Sequence, residues 1–524
     1  MRLFILILFF LAIKLSAQQT GDLDFTFGTN GKTISSISSS DFDAAAGIAL
    51  QDDGKIVVVG AALFSDTQAS FAIARYNSDG TLDNSFDFDG KVVTSFDTTL
   101  NGAFDVVIQS DGKILVAGVY ADIFLEKSGL LLARYNTDGS LDATFSGDGK
   151  MQFNIANNLS DNVYSVAIQN DGKILIGGTH LITANTNDLC IIRFNTDGTL
   201  DNSFGFGGVF SLAIPAMGSG ITALKLQTDG KIVASGWANS ANSFNFLTIR
   251  CNSGGTLDNS FGNAGISITS MSTSVSNINA IGIQNDGKIV IGGRSNYQFA
   301  LVRYNSDGSL DNSFGIGGKV LTIMTVGGFN TAEISDLIIE SDGKILVTGD
   351  TTNNVIGFSK YVLARYEVDG TLDSSFSGDG KIIDTWEVAT SCGAKALITQ
   401  TDGKILVVGT TDDGNSSKFT VARYLNDINI GIIDFSLPVS EVFIYPNPVL
   451  GTTTISYTLK NSETLSIELL DMQGKRLYTF ADKLNKSAGR YEELITLPNE
   501  IGTGLYFVML SSLKRKVLIK IIKN

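Results

Sequence analysis

One ten-residue stretch is written seven times along the chain: QDDGKIVVVG at 51–60, QSDGKILVAG at 109–118, QNDGKILIGG at 169–178, QTDGKIVASG at 227–236, QNDGKIVIGG at 284–293, ESDGKILVTG at 340–349 and QTDGKILVVG at 400–409. The copies start 56 to 60 residues apart, and so constant a period marks an internal structural repeat. Each copy reads as a β-hairpin. Its Asp-Gly pair supplies the positive φ angles of a tight type I′ turn, and the β-branched run after Lys suits a buried strand.

A second motif follows six of the hairpins: ARYNSDGTLDNSF at 74–86, ARYNTDGSLDATF at 133–145, IRFNTDGTLDNSF at 192–204, IRCNSGGTLDNSF at 249–261, VRYNSDGSLDNSF at 302–314 and ARYEVDGTLDSSF at 364–376. A Gly-rich turn and a further strand come next, as in GKVVTSF at 90–96. Each unit therefore holds four antiparallel strands, the pattern of a propeller blade. A lone blade cannot bury both faces, whereas seven around an axis can. The fold expected is all-β: a seven-bladed β-propeller of four-stranded antiparallel blades over residues 18–425, a linker at 426–440 and a small β-sandwich at 441–524.

The ends of the repeat determine how the ring closes. After the last hairpin comes VARYL at 421–425, and there the second motif stops. The missing half stands at the other end of the chain, in GDLDFTFGTNGKTISSI at 21–37. Residues 31–37 are accordingly expected to add the outermost strand to the blade built from 393–425. The same count nominates ion pairs, because in six repeats an Arg precedes an Asp by eight residues: Arg75 and Asp83, Arg134 and Asp142, Arg193 and Asp201, Arg250 and Asp258, Arg303 and Asp311, Arg365 and Asp373. Arg423 has no such partner ahead of it, and Asp24 is left over. A charge repeated in an apolar strand is tolerated only when paired and hydrogen-bonded, so these pairs read as structural, with Arg423 reaching Asp24.

The string from Asn77 to Asp83 also carries alternating oxygen ligands and a Gly, which calcium uses. Its Gly comes too early for an EF-hand loop and no terminal Glu follows, so turn chemistry accounts for the same letters and no cofactor is expected.

Spacing inside the repeat separates two faces. Hairpin start to closing Gly is always 9 residues, and Arg to the Phe of the second motif always 11. Closing Gly to Arg varies from 10 to 16, and Phe to the next hairpin from 23 to 26. In an antiparallel blade the uniform turns share one face and the variable loops the other, which becomes the candidate binding face. Just past the closing Gly stand Ala61, Val119, Thr179, Trp237, Arg294, Asp350 and Thr410. An aromatic, a cation and an anion on adjacent blades (Trp237, Arg294 and Asp350) suit a sugar or a peptide. His180, on the same rim, is expected to be solvated.

The formal charge of −15 opposes a nucleic-acid partner, which needs a basic face. Arg2, the apolar run Leu3 to Ile13 and Leu15-Ser16-Ala17 form a secretory signal peptide pattern over residues 1–17, too short for a membrane span. Cys190, Cys251 and Cys392 fall at unshared positions of three repeats and read as buried free thiols. With His180 the sole histidine, a His/Cys metal cluster is excluded. From YPNP at 445–448 onward, alternating runs such as TTISYTL, LSIELLD and GLYFVML mark a separate β-sandwich. Residues 441–524 hold 11 Lys and Arg against 8 Asp and Glu, opposite in sign to the rest.

The hairpin and the ARYNxDGxLDxSFGxxGK pattern resemble the delta-60 repeat family of bacterial proteins, which implies a propeller without an assigned activity. Cys251 and Gly254 depart from that pattern in the fourth repeat. The NxDG turns are similar to the Asp-box hairpins of sialidase propellers but lack their Ser and Trp positions. The tail resembles the C-terminal sorting domain of the type IX secretion system of Bacteroidetes, on YPNP (Tyr445 to Pro448), LLDMQGK (Leu469 to Lys475), GTGLYFV (Gly502 to Val508) and the basic KVLIKIIK end. That resemblance implies export by the signal peptide, passage of the outer membrane with the secretion machinery reading residues 441–524, and removal of the tail.

The leading functional expectation is a secreted or cell-surface module that binds or adheres to an unknown extracellular ligand, a glycan or a protein. A secreted carbohydrate-active or other hydrolytic enzyme is the alternative, and a structural surface-layer protein the second. No catalytic constellation is visible, because the functional-looking positions are either repeated, hence structural, or scattered.

Overall fold

The structure, a computed structural model, describes residues 19–426 and 443–523 apart from short loop stretches, the longest being 123–126, 156–160, 385–390 and 472–475. The expected signal peptide and nearly all of the expected linker lie outside the described residues. Two compact units divide at residue 426.

The first unit is a ring of seven blades. From the axis outward, blade 1 holds the strands Asp43–Leu50, Ile56–Ser65, Gln68–Tyr76 and Lys91–Thr94, each antiparallel to the next. Blades 2 to 6 repeat this order over residues 100–153, 161–212, 218–272, 276–322 and 331–384. Blade 7 takes its three inner strands from 391–424 and its outer strand from Lys32–Ser35, which runs antiparallel to 419–422. Among the described residues, apolar side chains gather in one cluster per blade interface. Val57, Phe71 and Ile73 of blade 1, for instance, pack against Val106, Ile114 and Leu131 of blade 2. In blade 7 and blade 1 the matching cluster holds Leu406, Val421, Ile56 and Val58 together with Phe27 from the chain's start.

The hairpins differ from the type I′ expectation. The amide of Gly54 donates to the carbonyl of Gln51 (2.9 Å) and that of Gln51 to the carbonyl of Lys55 (2.9 Å), while only Gly54 has positive φ, at 82°. This is a three-residue loop, a type I turn followed by a left-handed Gly. Asp53 stays right-handed and uses its carboxylate to accept the Lys55 amide (3.1 Å), so the Asp-Gly pair serves two different purposes.

In the second motif the repeated charge is buried and paired. Seven Arg Nε atoms lie 2.7–2.8 Å from seven Asp carboxylates, six within a blade and the seventh between Arg423 and Asp24. The hairpin Lys reaches the same carboxylate, as Lys55 does Asp83 at 3.1 Å and Lys404 does Asp24 at 3.1 Å. The Arg plane lies over the Phe that ends the motif, 4.5 Å from the Phe86 centroid for Arg75. Its Nη1 leaves the blade: Arg193 donates to the Ser253 carbonyl (2.7 Å), and Arg423 closes the ring at the Ser78 carbonyl of blade 1 (2.6 Å). Blade 7 has no second motif of its own, so Arg365 donates to the Asn426 side chain instead (2.6 Å). Burial alone would raise the Asp83 carboxyl, but the Ser85 hydroxyl and amide, Lys55 and Arg75 outweigh it and hold it down to about 2.

The second unit packs a three-stranded sheet (Phe443–Tyr445, Thr452–Leu459, Gly489–Thr496) and a four-stranded one (Arg476–Lys486, Glu463–Leu470, Gly504–Ser512, Arg515–Lys523) around Ile455, Tyr457, Leu469, Val508 and Ile521. Arg476–Lys486 is a strand the alternation pattern does not reveal. Its side chains are mostly exposed on an edge, so apolar and polar residues need not alternate there.

Because the Arg423–Asp24 contact joins residues 399 apart in sequence, it tests ring closure directly. Asp24→Asn is expected to lower stability by roughly 3–5 kcal/mol, the usual cost of stranding one partner of a buried pair. An Asp24/Arg423 double-mutant cycle followed by urea unfolding should show coupling as large as an Asp83/Arg75 cycle; additivity in the first and coupling in the second would mean the clasp is not part of the cooperative ring.

Candidate functional site

Every inner strand carries a β-bulge at the same place. Pairing with the second strand skips one residue, between Ala45 and Gly47 in blade 1 and at the equivalent points of the other six. The skipped residues are Ala46, Phe104, Tyr164, Thr222, Asn279, Ser335 and Lys395. All seven line one cavity of about 510 Å³ at the mouth of the central channel. A bulge re-aims its extra side chain away from the pleat, here toward the axis. Opposite each bulge stands the closing Gly of the hairpin motif. A Cβ there would sit 1.9–2.1 Å from an inner-strand carbonyl oxygen, so only Gly permits this approach.

The mouth has two unlike halves. Blades 2, 3 and 4 contribute Phe104, Tyr164 and Trp237, with the Phe104 and Tyr164 rings 6.5 Å apart and 40% and 41% exposed. Blades 5, 6 and 7 contribute Asn277, Asn279, Glu333, Asp350 and Lys395. Glu333 and Asp350 are directly opposed on neighbouring strands, an arrangement of like charges that costs stability unless it is compensated. Arg294 meets Glu333 at 3.1 Å, Asn279 donates to Glu333 at 2.7 Å, and Lys395 lies 3.8 Å from Asp350. Asp350 Oδ1 is shielded from solvent yet accepts no hydrogen bond. Loss of hydration pushes the Asp350 carboxyl up, Lys395 opposing and Glu333 adding to the rise.

Of the three rim residues read from sequence, Trp237 and Asp350 line this cavity, whereas Arg294 stands behind Glu333 as its counter-charge. His180 is a correction. It is buried, 8% exposed, with Nδ1 2.6 Å from Asp161, because its strand turns it inward beneath the rim. In the NxDG turn, Asp79 accepts both the amide (2.9 Å) and the hydroxyl (2.7 Å) of Thr81, and Asn77 donates to Thr81 (3.0 Å), which is local turn chemistry. The three cysteines are free and buried.

One residue deeper, two more carboxylates join the channel wall. Asp105 accepts the amides of Val106 and, across the blade gap, Val166 (both 2.9 Å). Asp336 does the same with Leu337 (2.8 Å) and Leu397 (3.0 Å). Burial pushes Asp336 up to about 6; the Leu397 amide and Lys225 resist the shift and Asp105 adds to it.

Residues 51–86, 109–145, 169–204, 227–261, 284–314, 340–376 and 400–427 each match the domain of unknown function (DUF5122) beta-propeller, and residues 443–524 match the secretion system C-terminal sorting domain. The chain is a DUF5122 β-propeller with a sorting tail. Such a tail marks it for export through the type IX system, to the cell surface or beyond, and for contact with the secretion machinery. No curated protein matches. Among solved structures, PorZ, a surface component of the type IX secretion system of Porphyromonas gingivalis, is similar at 13% identity and TM-score 0.41, with 91% of this chain and 59% of that one covered. The chain thus spans 59% of the length of PorZ. The polysaccharide lyase Uly1 aligns at 10% identity and TM-score 0.42 over 77% of this chain and 92% of that one. The β-propeller domain of the Trilobed protease from Pyrococcus furiosus aligns at 13% identity and TM-score 0.37 over 76% and 99%.

Sequence reasoning on the DUF5122 repeat missed the bulge ring, although a signal exists. Each bulge residue lies five positions before the hairpin's first residue, and the seven are Ala, Phe, Tyr, Thr, Asn, Ser and Lys. A fixed spacing with unrelated side chains is what a binding position on a rigid frame looks like.

The Asp336 carboxyl gives the propeller a pH signature. With its folded value near 6 and its unfolded value near 3.8, the folded chain holds the extra proton between them. The associated stability is fully present below 3.8 and lost as pH rises through about 6. In calorimetry, Asp336→Asn should flatten the fall in Tm between about pH 4 and 6, roughly the interval between those two values; equal slopes in the two proteins would refute the assignment.

Proposed function

We propose that this exported propeller is a binding module whose extracellular ligand seats in the mouth of the central channel. The observation that carries this is the bulge ring: a rigid repeated frame directs seven chemically different side chains into one cavity of about 510 Å³. That volume lies within the range of small-molecule sites, and the pairing of an apolar wall with a few polar groups is the usual make-up of such sites. Scaffolding alone would not require side chains aimed at the axis, since blade cohesion rests on the interface clusters and the Arg network.

A second reading has one specific observation behind it. Glu333 and Asp350 are opposed carboxylates, one compensated by Arg294 and the other pushed toward its protonated form, and unlike carboxylates can act as base and acid in glycoside hydrolysis. Binding is favoured because Glu333 already accepts from both Arg294 and Asn279, which leaves it little freedom as a base or nucleophile.

Labelled full-length protein lacking its leader should bind extracellular polymer collected from the native culture. Trp237→Ala and Lys395→Glu should reduce that binding, while Phe88→Ala, at a 93% exposed position on the uniform-turn face, should not. Equal binding by all four proteins would remove the mouth from consideration. Release of reducing ends from polysaccharides by wild type, lost in Asp350→Asn, would establish the hydrolytic reading; no release by either protein would leave binding in place.

A further inference from the structure

We infer that the ligand held at the mouth is an uncharged saccharide chain. This rests on the placement of the site proposed above and adds its chemistry. A pyranose ring has one face of C–H groups and an edge of hydroxyls, and so needs an aromatic surface beside hydrogen-bonding groups. The mouth is divided in that way, with Phe104, Tyr164 and Trp237 on three successive blades facing polar groups on the next three.

Charge excludes the neighbouring ligand classes. Glu333 is matched by Arg294 at 3.1 Å and Asp350 by Lys395 at 3.8 Å, so each carboxylate already has a cation beside it. An anionic chain would approach two opposed carboxylates, and a cationic one would have to displace a bonded Arg or Lys. Asp350 lines the cavity with its side chain 23% exposed, its Oδ1 turned away from solvent toward Lys395. A neutral hydroxyl can donate a hydrogen bond to the exposed part of that carboxylate without adding charge. A peptide is a poorer match. Its recognition usually draws on a run of backbone groups along one sheet edge, whereas this mouth offers one bulged residue from each of seven blades.

The test uses full-length protein lacking its leader and carrying Trp386→Phe, which leaves Trp237 as the sole tryptophan. Neutral gluco- and manno-oligosaccharides, an oligogalacturonate, a chitosan oligomer and an unstructured peptide serve as probes, with Trp237 emission and calorimetric affinity as readouts. Neutral oligosaccharides are expected to shift the emission and to bind about tenfold more weakly after Asp350→Ala or Tyr164→Ala, one lost hydrogen bond or aromatic contact each. Far-ultraviolet circular dichroism and Tm equal to wild type confirm that the variants fold. A shift with the charged oligomers or the peptide but not with neutral sugars overturns the ligand class while keeping the site. Neutral-sugar affinity unchanged by Trp237→Ala and Tyr164→Ala overturns the site itself. No response to neutral sugars at millimolar concentration also overturns the inference.

Discussion

Cohesion of the ring depends on a guanidinium group used seven times. Each Arg of the second motif meets an Asp carboxylate through Nε, stacks over a Phe, and sends Nη1 across the gap to the next blade, or in Arg365 to Asn426. A planar group with five donors in fixed directions can serve the carboxylate and the neighbouring blade at once, which an ammonium cannot do with the same geometry. The Lys of the hairpin completes the shell around each carboxylate, so a charge that would be costly in an apolar strand is satisfied on every side. Apolar clusters fill the wedge between blades, and the Arg network sets how neighbouring blades meet.

Against that rigid frame, the channel is where the repeat is allowed to differ. The closing Gly and the bulge form one device: absence of a Cβ lets the inner strand come close, and the extra residue is turned to the axis. Repeating this device leaves the apolar clusters between blades unaltered, since none of the seven bulged side chains belongs to them, and the contacts those side chains do make, such as Asn279 to Glu333 and Lys395 to Asp350, lie at the mouth. Aromatic residues can thus gather on blades 2 to 4 and hydrogen-bonding ones on blades 5 to 7 without altering the fold.

The tail is built on other terms, a two-sheet sandwich with its own core around Ile455, Leu469 and Val508. Its net positive balance contrasts with the acidic chain as a whole, and its sorting-domain match assigns it a task in export.

The amino-acid sequence by itself determined the number of blades, the strands within each and the partner of Arg423, because these follow from counting a motif whose letters are set by local turn chemistry and by the rule that buried charge must be paired. It also placed Trp237 and Asp350 on the rim, where both line the mouth, since both follow a recognisable Gly. It did not reveal that Arg294 is spent on Glu333, that His180 turns inward onto Asp161, or that the hairpin is a type I turn with a left-handed Gly. Only the tertiary structure decided which side chains share the mouth. A β-bulge is a mismatch between two paired strands, and residues that meet around an axis come from segments about sixty positions apart, so neither is visible in any one segment read alone.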